Sequence, residues 1–173
     1  MNERSAEEQV REVYARFGLA LYFAQVLERG IVNALIFLDL IPNRSKRLRS
    51  TKEWETEYDA FASRHFQKTL GGLIRALGEV KAVPDELEKL LASALHERNR
   101  LAHYYFWERA DEFMTTPGCN RMITELAAAR DLFDHADKRL MQITAAIRTR
   151  HGFTEERIEM MVLERLTTVS RNG

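Results

Sequence analysis

Cysteine is nearly absent: Cys119 stands alone, so no internal disulfide can form, as befits a reducing compartment. Glycine and proline are scarce too, 8 and 3 in 173 residues. That is too few for the many tight turns of an all-β fold. Neither sign of charge is in excess, with 26 Lys and Arg against 26 Asp and Glu. The balance offers no broad basic footprint for gripping a long duplex or an anionic membrane, but it leaves room for an enzyme that handles a short single strand. The N-terminus lacks the basic-then-apolar order of a signal peptide. The most apolar stretch, Phe17 to Ile41, is interrupted by Glu28, Arg29 and Asp39, whereas a membrane span wants roughly 20 apolar residues with few or no charges. A core helix of a cytoplasmic protein, with no membrane partner, is the expectation.

Metal-binding patterns are missing as well. There is no His-Glu-x-x-His and no paired-cysteine spacing. His96 and His103 share a helix face, but seven helical residues separate them by roughly 10 Å, too far for one ion whose ligands lie about 2 Å away. No metal and no cofactor are expected.

What is present is helical periodicity. Hydrophobic residues make up 45% of the chain and charged residues 30%, the balance of a globular domain. Ser5-Ala6-Glu7-Glu8 has the spacing of a capping box, and a long apolar helix follows to about Leu40, with Gly18 and Gly30 as candidate interruptions. Pro42 and the basic run from Asn43 to Arg49 are expected to end it. This run reads as a solvated connector, or alternatively as a phosphate-contacting loop. A second helix is expected from Thr51 through Leu77, with Gly71-Gly72 marking a bend or close packing. Val83-Pro84-Asp85-Glu86 opens a third, expected to reach Phe113 before Thr115-Thr116-Pro117-Gly118 breaks it. A fourth spans about Asn120 to Arg150, and a short C-terminal helix runs from Thr154 to about Thr167. Long amphipathic helices with short connectors predict an all-α, up-and-down bundle of four to five helices in a single domain.

The third helix carries the distinctive chemistry. On a wheel of roughly 100° per residue, Leu87, Leu91, Ala94, Leu95, Leu101, Ala102 and Tyr105 form one apolar stripe, and Arg98 falls near its middle. A guanidinium cannot shed its proton and is rarely buried unpaired. Arg98 therefore reads either as a partner for a carboxylate on another helix, such as Glu28, or as a cation facing a cleft or dimer seam that receives an anion. Asn99 and His103 sit one turn apart on the flank of the stripe. A fixed cation, an amide and an imidazole in this spacing offer a hydrogen-bond donor to phosphate, an orienting group and a proton-transfer group.

Arg98-Asn99-x-x-x-His103 resembles the Arg-polar-x3-His motif of the HEPN superfamily, all-helical and usually dimeric proteins, many of them metal-independent endoribonucleases. The resemblance rests on this six-residue core, with Leu95, Leu101, Ala102 and the aromatic tail Tyr104-Tyr105-Phe106-Trp107 as context. Elsewhere it extends only to helical character and length. It implies one HEPN-like domain over residues 1–173, with Arg98, His103 and Asn99 as the catalytic set acting on RNA. The 2′-hydroxyl would attack, His103 would move the proton, and Arg98 would stabilise charge on phosphorus. Arg98 and His103 diverge by roughly 140° around one helix, so a two-fold dimer would bring complementary halves together. His103-Tyr104-Tyr105 also fits the Arg-x4-His-x-Tyr extension of toxins silenced by nucleotidyltransferase antitoxins, which would make Tyr105 a modification site; its place on the apolar stripe reads instead as a core tyrosine. Two functions stand: an endoribonuclease, as in the toxin of a toxin–antitoxin or phage-defence pair, or a catalytically inactive HEPN-like binding module that itself serves as an immunity or antitoxin-like partner.

Overall fold

The computed structural model describes residues 6–44 and 50–154, and beyond them residues 156, 157, 159, 160, 163, 164, 167 and 168. Ser5 of the expected capping box and residues 45–49 of the basic run lie outside the described residues, as does part of the expected C-terminal helix. Among the described residues the fold is all-helical and has no strand. The elements are α1 (Ala6–Leu35), a π-helical segment (Ile36–Leu40), α2 (Ile41–Arg44), α3 (Thr51–Phe66), α4 (Leu70–Glu79), α5 (Asp85–His103), α6 (Tyr105–Glu108), α7 (Ala110–Phe113) and α8 (Thr116–Arg150). These are more and shorter pieces than four or five plain helices.

The core forms because α1 and α8 carry apolar residues at helical spacing. Val13, Ala20, Ala24, Leu27, Ile31 and Leu35 on α1 are buried, as are Met122, Leu126, Phe133, Ala136 and Leu140 on α8. Each large aliphatic or aromatic side chain so buried contributes on the order of 2 kcal/mol. The two helices run in the same direction: Phe17 stacks with Tyr105, whose hydroxyl reaches Met122, and farther along Gly30 lies against Asp137 and Leu140. Helix α5 runs the opposite way, with Tyr105 just past its end beside Phe17 and Arg98 beside Glu28. By length and composition the helix through Ala6–Asn43 is apolar enough to cross a membrane; here it is the central element, its buried stripe covered by α8, α5 and α4.

Several boundaries differ from expectation, each for a physical reason. Neither Gly18 nor Gly30 interrupts α1. Pro42 does not end the first helix but sits inside α2. Proline lacks an N–H and crowds the carbonyl four residues back. The π segment immediately before it, closed by the Ile41 N–H donating to the Ile36 carbonyl, widens the ladder where that crowding would fall. The second helix breaks at residues 67–69, not at the glycines, because Thr69 accepts the Gly72 N–H at 3.3 Å and starts a new helix. Gly71 then packs against Leu95. The third helix stops at His103 rather than Phe113, since Tyr104 leaves helical geometry at φ −128°. Thr115 accepts the Gly118 N–H at 3.1 Å and caps α8, with Pro117 in its first turn.

Candidate functional site

Helix α5 is built for its place. Asp85, Glu86 and Glu88 fill its first turn, and Arg100 and His103 its last, both favourable to the helix dipole. Its buried positions are Leu87, Leu91, Ala94 and Leu101, continued by Tyr105. Arg98 completes that spacing, four residues after Ala94 and three before Leu101. It occupies a core register but ends at the rim, where its Nη2 donates to Glu28 Oε1 at 3.5 Å. The two side chains retain 30% and 27% of their exposure. Its Nη1 donates to Asn99 Oδ1 at 3.3 Å. The paired-carboxylate reading of Arg98 is thus realised with Glu28, in a half-open setting rather than a sealed core.

Asn99 and His103 are exposed, and Ala102, expected on the buried stripe, faces solvent with them. The His103 ring lies 6.0 Å from the Tyr104 ring and forms no hydrogen bond or ion pair with another described residue. The amide and imidazole are therefore exposed, and the cation half-exposed, along the last turns of α5. A single chain links Arg98 to Asn99 directly and leaves His103 apart, as the angular divergence requires.

Tyr105 lies elsewhere. It is 1% exposed, stacks on Phe17, and its hydroxyl donates to the Met122 carbonyl at 3.2 Å. Burial, together with Glu125, pushes its hydroxyl well above the ordinary tyrosine range. The phenol is core furniture of the folded chain and offers no reachable oxygen to a modifying partner.

Three further features flank the motif. Arg100 is clamped by Glu97 through two contacts of 2.9 and 2.7 Å, reaches Glu108 at 3.4 Å, and lies 5.0 Å over the Tyr105 ring. Its hydrogen bonds to Glu97 hold it firmly protonated, and its donors are largely spent. Arg109 makes a forked pair with Glu125 at 2.9 and 3.0 Å. Of the three arginines, Arg98 has the loosest carboxylate pairing, a single contact of 3.5 Å, so it is the cation best placed to take an external anion. The third feature is aromatic: Tyr104 is 58% exposed and Trp107 87%, beside a half-buried cluster of Phe17, Phe106 and Phe113 that Tyr14 covers. An aromatic run after a helix reads as core; the turn at Tyr104 puts the first and last rings of the run outward and the two between them inward. Among the described residues no three His, Cys, Asp or Glu side chains gather to hold a metal ion.

Comparison with protein-family models, curated proteins and solved structures finds no match to this chain.

Proposed function

We propose that the chain is a metal-independent endoribonuclease of HEPN type, a cytoplasmic homodimer whose Arg98, Asn99 and His103 act on a phosphodiester. The observation that carries this reading is the accessible grouping of a loosely paired guanidinium, an amide and an unengaged imidazole, flanked by two solvent-facing aromatic rings. Exposed rings of this kind stack unpaired bases regardless of sequence, which suits short single-stranded RNA and needs no large excess of basic charge.

The chemistry follows from the groups. The ribose 2′-oxygen attacks the adjacent phosphorus while one imidazole takes its proton. The bond to the 5′-oxygen breaks, and that oxygen leaves with a proton from a second imidazole. Arg98 meets the charge that develops on the phosphoryl oxygens, and Asn99 holds the guanidinium in line. The products are a 2′,3′-cyclic phosphate and a free 5′-hydroxyl, with atoms and charge balanced and no redox change. Two-fold pairing of α5 helices would supply both imidazoles and set Arg98 of one subunit near His103 of the other. A toxin role, with an antitoxin as regulatory partner, accords with such an activity.

The Arg98–Glu28 pair favours a second reading, in which the motif is structural and the chain is a catalytically inactive HEPN-like module serving as an immunity or antitoxin-like partner. Induced expression separates the two. The nuclease should arrest growth, and Arg98→Ala and His103→Ala should each relieve the arrest at equal protein level. The module should express harmlessly. Arrest that persists in both variants would overturn the nuclease assignment.

A further inference from the structure

A cavity of about 510 Å³ lies where α1, the π segment, α3 and α8 meet. That size is typical of small-molecule pockets, which run to roughly 300–1,000 Å³. One wall is α8, whose Asp137, Met141, Thr144 and Arg148 recur at helical spacing and line the cavity. At 1.5 Å per residue, Asp137 and Arg148 stand roughly 16 Å apart along that wall. The cavity is therefore a trough with a polar residue at each end.

Its middle is apolar and aromatic. Trp54 and Tyr58 form one ring pair at 6.5 Å, and Phe37 and Phe153 a second at 5.5 Å. Phe37 belongs to the π segment, and π turns inserted in α-helices are frequent at functional sites. Gly30 lets the trough extend to Asp137, since a Cβ there would overlap the carboxylate.

The polar ends are unfinished. Arg148 donates from Nη2 to the Met141 carbonyl at 3.2 Å, but its Nε is buried with no hydrogen-bond partner. A buried, unsatisfied guanidinium donor costs free energy unless something accepts from it. Arg148 has no ion pair with any described residue, and Asp137 at the far end has no hydrogen bond or ion pair with any described residue either. Arg29, also lining the cavity, lies 5.8 Å from the Phe66 ring. Two cations and one carboxylate thus line an apolar trough.

We propose that this trough binds an elongated amphipathic acid, its apolar body held between the two aromatic pairs and its single anionic group paired with the guanidinium of Arg148. The charge balance of the lining favours an anion over a neutral molecule or a cation, and the fixed donor sets which end of the ligand enters there. The site is separate from Arg98 and His103 and stands or falls without them.

The test uses Trp107→Phe, which leaves Trp54, inside the trough, as the sole tryptophan. Titration with 8-anilinonaphthalene-1-sulfonate, an aromatic body bearing one anion, should give saturable energy transfer from Trp54. Decanoate should displace the dye at a concentration at least tenfold lower than decan-1-ol, which has the same body without the charge. Adding Arg148→Gln should abolish that preference while the circular dichroism spectrum is kept. Absence of saturable transfer, equal displacement by acid and alcohol, or a preference that survives in a folded Arg148→Gln protein would each overturn the proposal. The comparison of acid with alcohol in the parent protein decides the matter even if Arg148→Gln does not fold.

Discussion

Arg98 leans out of a core register on α5 to meet Glu28 on α1 at 3.5 Å, and so ties the central helix to the one segment with a distinctive chemical pattern. The pair is long, only partly buried and single-pronged. Half-exposed ion pairs of this kind contribute between nothing and about 1 kcal/mol. Glu28→Gln is accordingly expected to move the midpoint of thermal unfolding by less than about 4 °C, the shift that 1 kcal/mol makes in a domain this size. Because it releases the guanidinium, it should leave RNA cleavage intact or raise it, whereas Arg98→Ala should abolish cleavage.

The corner between α7 and α8 should be intolerant of bulk. At Gly118 an added Cβ would overlap the backbone of Glu112, and backbone cannot swing aside as a side-chain tip can. Nearby, the buried Cys119 thiol reaches the Phe113 carbonyl, so the turn is anchored from both sides. Gly118→Ala should cost roughly 2 kcal/mol or more, read as a lower midpoint in urea denaturation with an unchanged slope.

Asp137 should make stability depend on pH. Burial, and secondarily Asp134, raise its carboxyl above the ordinary aspartate range, so over the window between the two values the folded state holds more protons than the unfolded one. Stability then falls as pH rises through that window and stays lower above it. Asp137→Asn removes the penalty. It should be more stable than the parent at neutral pH, and the gap should close as pH falls toward about 4, the ordinary aspartate value. Urea denaturation of both proteins across that range checks the sign.

Tyr105 should behave as a core residue. Tyr105→Phe loses the hydrogen bond to Met122 and should cost about 1 kcal/mol. In the native protein, nitration by tetranitromethane should modify Tyr14, Tyr22 and Tyr104, which are exposed, and spare Tyr105. Ready nitration of Tyr105 would show that the end of α5 opens.

How far the sequence carried depended on where the information lay. The helical class follows from scarce turn formers and apolar spacing, and Glu28 is legible as a partner for Arg98 because few carboxylates interrupt the apolar stretch of the first helix. The stop at His103 is not legible. Tyr104 to Trp107 contains neither glycine nor proline, and the turn arises because Tyr105 and Phe106 are drawn inward to Phe17 and Met122, a tertiary demand that overrides local preference. Pro42 misleads for the converse reason: a proline normally stops a helix, and only the π segment before it lets this one continue. The pairing of Arg100 with Glu97 is local, three residues apart, whereas the trough beside Arg148 is assembled from segments far apart in the chain and leaves no local trace.

The proposed activity has Arg98 and His103 together cleave RNA without a metal. The direct measurement is incubation of purified protein with total RNA in EDTA, beside His103→Ala and Arg98→Ala. Fragments ending in 2′,3′-cyclic phosphate are expected from the parent protein alone. Intact RNA in every lane, or cleavage that survives in the two variants, would contradict it.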